Sequence, residues 1–318
     1  MKKWSLFLLT LLMALSVFGQ RKGKGCDFEY WADSLDRLRV EAMTARTEVE
    51  RYGLNDDFMN LLELTLQEDN SFKFGWDSVK NFSVLASPDK LFKIFTWFIY
   101  KDDFTVENFG FIQVYNDGRK KFEVYPLYDK RAIMDNPQTT IGNHKKWYGA
   151  VYYKMVMTKT KSKTYYTLLG WNGNDMFTNQ KVIEVLYFKQ DMSPVFGANV
   201  FKKYTDKAYR IIFDYAKNSV FSLKYEHHTY DVGTGKRDPK THTVVYETQS
   251  ADMIIFDDIA PLDDFMGNVA AFMVPESSVN HGFVQDNGKW LYINKVNGRN
   301  PDKDKPAHQL KEREYYKP

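Results

Sequence analysis

The chain of 318 residues has one cysteine, Cys26, and six histidines, and its longest predominantly apolar stretch, Trp4 to Phe18, is only fifteen residues. A single cysteine excludes an internal disulfide, and Cys26 reads as a tolerated small residue. Fifteen residues fall short of the roughly 17 to 25 that a membrane-spanning helix needs. Neither sign of charge is in excess, with 44 Lys and Arg against 41 Asp and Glu. Such a balance offers no basic footprint for nucleic acid or an anionic membrane. Catalytic signatures are also missing, with no Ser-His-Asp order, no nucleophile elbow and no phosphate-cradling glycine loop. The Gly233-Thr234-Gly235-Lys236-Arg237-Asp238 stretch lacks the Walker spacing and reads as a hairpin tip.

What is present begins with Met1-Lys2-Lys3, the apolar stretch, Gly19-Gln20 and a basic segment, the order of a secretory signal. Cleavage after Gly19 is expected. It takes away Lys2 and Lys3 and no acid, leaving 42 cations against 41 acids, a charge of +1. Five residues, Arg21 to Gly25, separate Gln20 from Cys26, which argues against a lipid anchor. The expected organisation is a signal peptide over 1–19, a helical segment over 20–70, a β domain over 71–296 and a polar tail over 297–318.

Phe28, Trp31, Leu35, Leu38, Ala42, Ala45, Val49 and Tyr52 step by three and four, one face of a long helix. Asn55 is expected to cap a second helix carrying Phe58, Leu61, Leu62 and Leu66, with a turn at Gly53. After Asn70 the period becomes two. Residues 82–100 read as two strands about a Ser87-Pro88-Asp89 turn, the second apolar on both faces and therefore central. Asp117-Gly118 and Asn287-Gly288 mark hairpins, and residues 129–146 read as a long loop of the kind that is often functional.

At "SPDKLFKIFTW", "KWYGAVYYKM", "YYTLLGWNGNDMFTNQKVIEVLYF", "PVFGANVF" and "RIIFDYAKNSVFSLKY" the chain resembles a family of exported, β-rich proteins of unassigned activity from Bacteroidota, and the likeness runs on through "MIIFDDIAPL" and "GKWLYINKV". The resemblance implies export and a β fold, and it carries no catalytic residue.

Four sets of residues are candidates for chemistry. Asn172, Asn174 and Asp175 offer oxygens for a hard cation such as calcium, with Gly170 and Gly173 allowing sharp turns, although a turn between strands is the leading explanation. Trp171 beside them suits a sugar ring where exposed, or the core. Asp257, Asp258, Asp263 and Asp264 place four carboxylates around Pro261, a cation candidate without EF-hand spacing. Glu184, on a face with Val182 and Leu186, and Asp214 form a possible pair of hydrolytic carboxylates, against pairing with Lys or Arg across the sheet. His242 facing His227 or His228 is a conceivable two-histidine site.

These readings predict a mainly β protein of antiparallel sheets, a sandwich or open barrel, with an N-terminal helical hairpin; the alternative is a small propeller-like fold. The expected function is a non-catalytic module, exported to the periplasm or the outer surface, that binds a glycan or an envelope protein through aromatics and the 129–146 loop. No cofactor is expected beyond the calcium already considered. The alternatives are a carboxylate hydrolase of envelope polymers and an assembly component recruited through the Phe28 to Tyr52 stripe.

Overall fold

The computed structural model describes residues 27–68, 70–205, 207–267 and 269–296, so the expected signal peptide, Cys26 and the expected polar tail lie outside the described residues. Two helices open it, α1 (Phe28–Thr44) and α2 (Glu48–Leu66). The Asp27 carboxylate caps α1 by accepting from the Tyr30 amide. Thr47 and Glu50 cap α2 reciprocally, each side chain bonding the other's backbone amide. This capping box corrects the expected boundaries. The chain turns at residues 45–47, Gly53 sits inside α2, and Val49 at the end of the expected stripe is 82% exposed.

Fifteen strands follow: β1 (Ser83–Ala86), β2 (Phe92–Tyr100), β3 (Val106–Asn116), β4 (Lys121–Tyr128), β5 (Gly142–Asn143), β6 (Val151–Lys159), β7 (Thr164–Asn172), β8 (Thr178–Phe188), β9 (Pro194–Phe196), β10 (Phe201–Lys202), β11 (Ile211–Ala216), β12 (Leu223–Arg237), β13 (Val244–Pro261), β14 (Met273–Asp286) and β15 (Lys289–Val296). They form three open sheets: β1-β2-β3-β4, then β5-β9-β8-β7-β6 with β11 also on β8, then β10-β15-β14-β13-β12. All pairs are antiparallel except β10 with β15. Among the described residues there is neither a closed barrel nor a propeller.

Alternation along the strands stacks these sheets. Phe95, Trp97 and Phe111 of the first sheet meet Leu35, Phe58 and Leu62 of the helices. Phe92, Ile94 and Ile112, on the opposite face, meet Tyr166, Leu168, Val182 and Leu186 of the middle sheet. Leu169, Ile183 and Val185, on the middle sheet's other face, meet Ile254, Phe256, Phe283 and Trp290 of the third. The result is four layers, helices and three sheets, with the middle sheet buried on both sides. Such a strand reads as a continuous apolar run, which is what the segments around Leu168 and Val185 are.

Several polar side chains inside this stack tie one layer to the next. Asn55 is fully buried and accepts a hydrogen bond from Trp97 Nε1 at 2.7 Å, so it ties α2 to the first sheet rather than capping a helix. Gln113 of β3 donates to the Leu66 carbonyl and to Ser71 Oγ, satisfying the end of α2. Arg39 is buried against the Asn81 and Phe98 carbonyls, and burial lowers its guanidinium to about 10. The turn chemistry also differs at one hairpin. Lys120 (φ 54°), not Asp117-Gly118, takes the left-handed position between β3 and β4, whereas Asn287 and Gly288 (φ 53° and 76°) both take it between β14 and β15 as expected. Replacing Asn55 by Ala leaves the Trp97 N–H unpaired in the interior, and urea denaturation is expected to show a loss of about 1–3 kcal/mol.

Candidate functional site

At one end of the interface between the first and middle sheets lies the 172–178 turn. Asn172 is fully buried at the end of β7; its Nδ2 donates to the Gly149 carbonyl, and its Oδ1 accepts from the Asn174 amide and from Arg131. Asn174 takes a left-handed φ of 42°, and its side chain joins Arg131, Asp175 and Thr178. Asp175 accepts from the Phe177 and Thr178 amides and the Thr178 hydroxyl, while Lys217 Nζ donates to the Gly173 and Asp175 carbonyls at 2.6 and 2.9 Å. Arg131 thus holds the Asn172 and Asn174 side-chain oxygens, Lys217 the Gly173 and Asp175 carbonyls, and neutral donors the Asp175 carboxylate, the arrangement of a tied turn between strands. Trp171 is half-buried and packs edge-to-face on Phe98, so its ring is packed rather than offered.

Glu184 and Asp214 do not converge. Asp214 stands opposite Gln180 in the β8–β11 register. That is four positions along β8 from Glu184, roughly 13 Å at about 3.3 Å per residue, and beyond the ~10 Å limit of a glycosidase pair. Glu184 is spent on Arg210, Nε to Oε2 at 2.7 Å, with both side chains fully buried. Burial pushes the Glu184 carboxyl up, against the pull of Arg210 and the Val185 amide. Pairing with an arginine was the alternative expectation, but it occurs in the dry interior instead of on a wet face. Arg210 also donates to the Thr140 and Pro137 carbonyls, and the Gln138 carbonyl accepts from the Tyr209 amide. The 129–146 loop, with short helical turns at Arg131–Ile133 and Pro137–Thr139, is thus a strap over this ion pair and not a free binding loop. Asp214 accepts from Gln180 Nε2 at 2.6 Å, Gln180 in turn accepts from the Tyr148 hydroxyl, and burial raises the Asp214 carboxyl.

The remaining candidates are scattered. Asp257 is buried, accepts from the Ser222 amide and is pushed up by burial. Asp258 lies near His281 Nε2 at 3.4 Å, Asp263 caps a short helical turn through the Phe265 amide, and Asp264 is exposed in that turn. Among the described residues no three His, Cys, Asp or Glu side chains gather as a metal site. His227 pairs with Asp252, while His242 lies in the hairpin tip beyond Val244, the end of β13 eight positions from Asp252, or roughly 26 Å. The two-histidine site therefore does not form.

Sequence reasoning missed an open cleft of about 900 Å³ at the other end of the same interface. Three turns bound it, those between β1 and β2, β6 and β7, and β8 and β9. Tyr166 donates to Asp89 at 2.6 Å across its floor. Lys163 Nζ lies 3.8 Å from the centre of the Tyr187 ring. Asp191, on the rim, is held below the usual carboxylate range by the Ser193 hydroxyl and amide. Residues from three separate turns make this cleft, and no local motif announces it.

No protein-family model, no curated protein and no solved structure matches this chain. Geometry alone carries the functional reading.

Two outcomes follow from the ion pair and the turn. Arg210→Met leaves Glu184 charged and unpaired and is expected to cost about 3–5 kcal/mol in chemical denaturation, much of which the double variant with Glu184→Leu recovers. For Asp175, burial raises the carboxyl, but the Phe177 and Thr178 bonds and Lys217 outweigh it and leave the group lowered. A carboxyl lowered on folding contributes stability above its unfolded pKa and loses it as pH falls. Asp175→Asn is therefore expected to lower stability at pH 7 by roughly 1–2 kcal/mol. That gap should close as melts are repeated down through about pH 4.

Proposed function

We propose that the chain is an exported, non-catalytic module that binds a glycan in the cleft between the 87–91, 160–163 and 189–193 turns. The supporting observation is the lining: the rings of Tyr187 and Phe188 stand beside amines of Lys163 and Lys189, carboxylates of Asp89 and Asp191, and the Ser162 and Thr164 hydroxyls. Aromatic faces with donors and acceptors around them suit a polyhydroxylated ring, which offers apolar C–H faces and hydroxyl edges together. Lys163 is exposed and covers the Tyr187 ring, so it rotates away or bonds to the hydroxyls of a sugar seated there.

Binding is favoured over hydrolysis because a catalytic acid needs a carboxyl raised toward neutrality inside the site. The carboxyls that burial raises are Glu184, Asp214 and Asp257, and none of them lines the cleft. The assembly alternative loses its surface, since Leu35 and Leu38 of the expected stripe are buried against the chain's own first sheet. Export rests on the charged, apolar and small-residue order of residues 1–19.

Titration calorimetry of residues 20–318 against envelope and dietary glycans tests this reading. A glycan that binds should lose affinity roughly three- to tenfold with Tyr187→Ala, and Lys163→Ala should weaken it as well. Unchanged affinity in both variants, or new reducing ends in the mixture, sinks the proposal.

A further inference from the structure

The third sheet narrows to two strands at its far end, because β14 joins β13 only from Met253 onward. Residues 231–250 therefore project as a ribbon roughly 20–25 Å long, about seven residues at ~3.3 Å each. A turn over residues 238–243 closes it, with the Asp238 carboxylate accepting from the Lys240 and Thr241 amides. Most of its residues are exposed, including Val244, Val245 and, at 63%, Tyr246. A lone two-stranded ribbon is marginal in water. Cross-strand bonds stitch this one together, from Thr248 Oγ1 to Asp231, Thr234 Oγ1 to the Val245 carbonyl and Arg237 to the His242 carbonyl.

Its shape is self-complementary. Gly233 stands directly across from Tyr246, and Gly235 follows in the bulge at a φ of 73°. A Cβ placed on Gly235 would meet nothing within 4 Å, and one on Gly233 would touch only Val244 and Tyr246. Two apolar side chains thus stand beside a strip that has none. Charge is divided along the length as well. Lys236, Arg237 and Lys240 cluster toward the tip and outnumber Asp238, whose carboxylate is taken by the turn's own amides, while Asp231, Glu247 and the His227-paired Asp252 lie toward the base.

We propose that this ribbon is the contact of a symmetric dimer, in which two copies of the chain pack antiparallel, ribbon on ribbon. A twofold axis across the ribbons seats Tyr246 of each copy over the Gly233–Gly235 strip of the other. The same operation sets each basic tip against an acidic base. A twofold contact requires one patch to carry both knob and hole, and the ribbon carries both. An unlike protein partner would have no need of the matched charge gradient.

Sedimentation velocity of residues 20–318 over a concentration series tests the proposal. The expected result is a monomer–dimer equilibrium that weakens with added salt. Tyr246→Ala should raise the dimer dissociation constant on the order of tenfold or more. Gly233→Leu, which fills the strip from the other side, should do the same while thermal melts stay unchanged. A chain that remains monomeric at every concentration overturns the proposal, as does a dimer indifferent to both variants.

Discussion

Burial of the middle sheet on both faces is the constraint from which the rest of the structure follows. A sheet with two apolar faces cannot stand at a surface, so it requires a second sheet on each side. The first sheet then has an outer face of Phe95, Trp97 and Phe111 that needs its own cover, and the helical hairpin supplies it. Each layer exists because the one beneath leaves an apolar face exposed.

The same constraint governs where polar chemistry can sit. In the middle of the sheet a carboxylate survives only with a partner, and Glu184 has Arg210, whose Nη1 donates to two carbonyls of the strap. At the ends of the sheet water and loops return. One end is closed by a dense network around Arg131 and Lys217. The other stays open as the cleft, where exposed Asp89 accepts from the buried Tyr166 hydroxyl.

Much of the architecture was legible in the sequence. Period-two alternation located the β1–β2 hairpin, the apolar run of β2 marked it as central, and Asn287-Gly288 fixed a turn. Helix boundaries were misjudged because the small and apolar steps of α1 continue in phase past Thr44, while the Thr47–Glu50 capping box that ends the stripe was there to be read. Asn55 looked like a cap because a polar residue inside a helix gives no hint of a tryptophan from another element beside it. The site was less legible still. Asn172, Asn174 and Asp175 were recognisable as a cluster of acceptors, but the cations that fill it come from positions 131 and 217, and only the fold brings them there. The cleft depends on three turns far apart in the chain.

That filled turn has a consequence for the conditions under which the protein keeps its shape. Many exposed β loops are rigid only while calcium occupies them, and they slacken when the ion is sequestered or diluted. Here the positive charges are covalently part of the chain, carried by Arg131 and Lys217. They cannot be chelated, washed out or exchanged, so the counter-charge on the carbonyl and amide oxygens they hold is permanent.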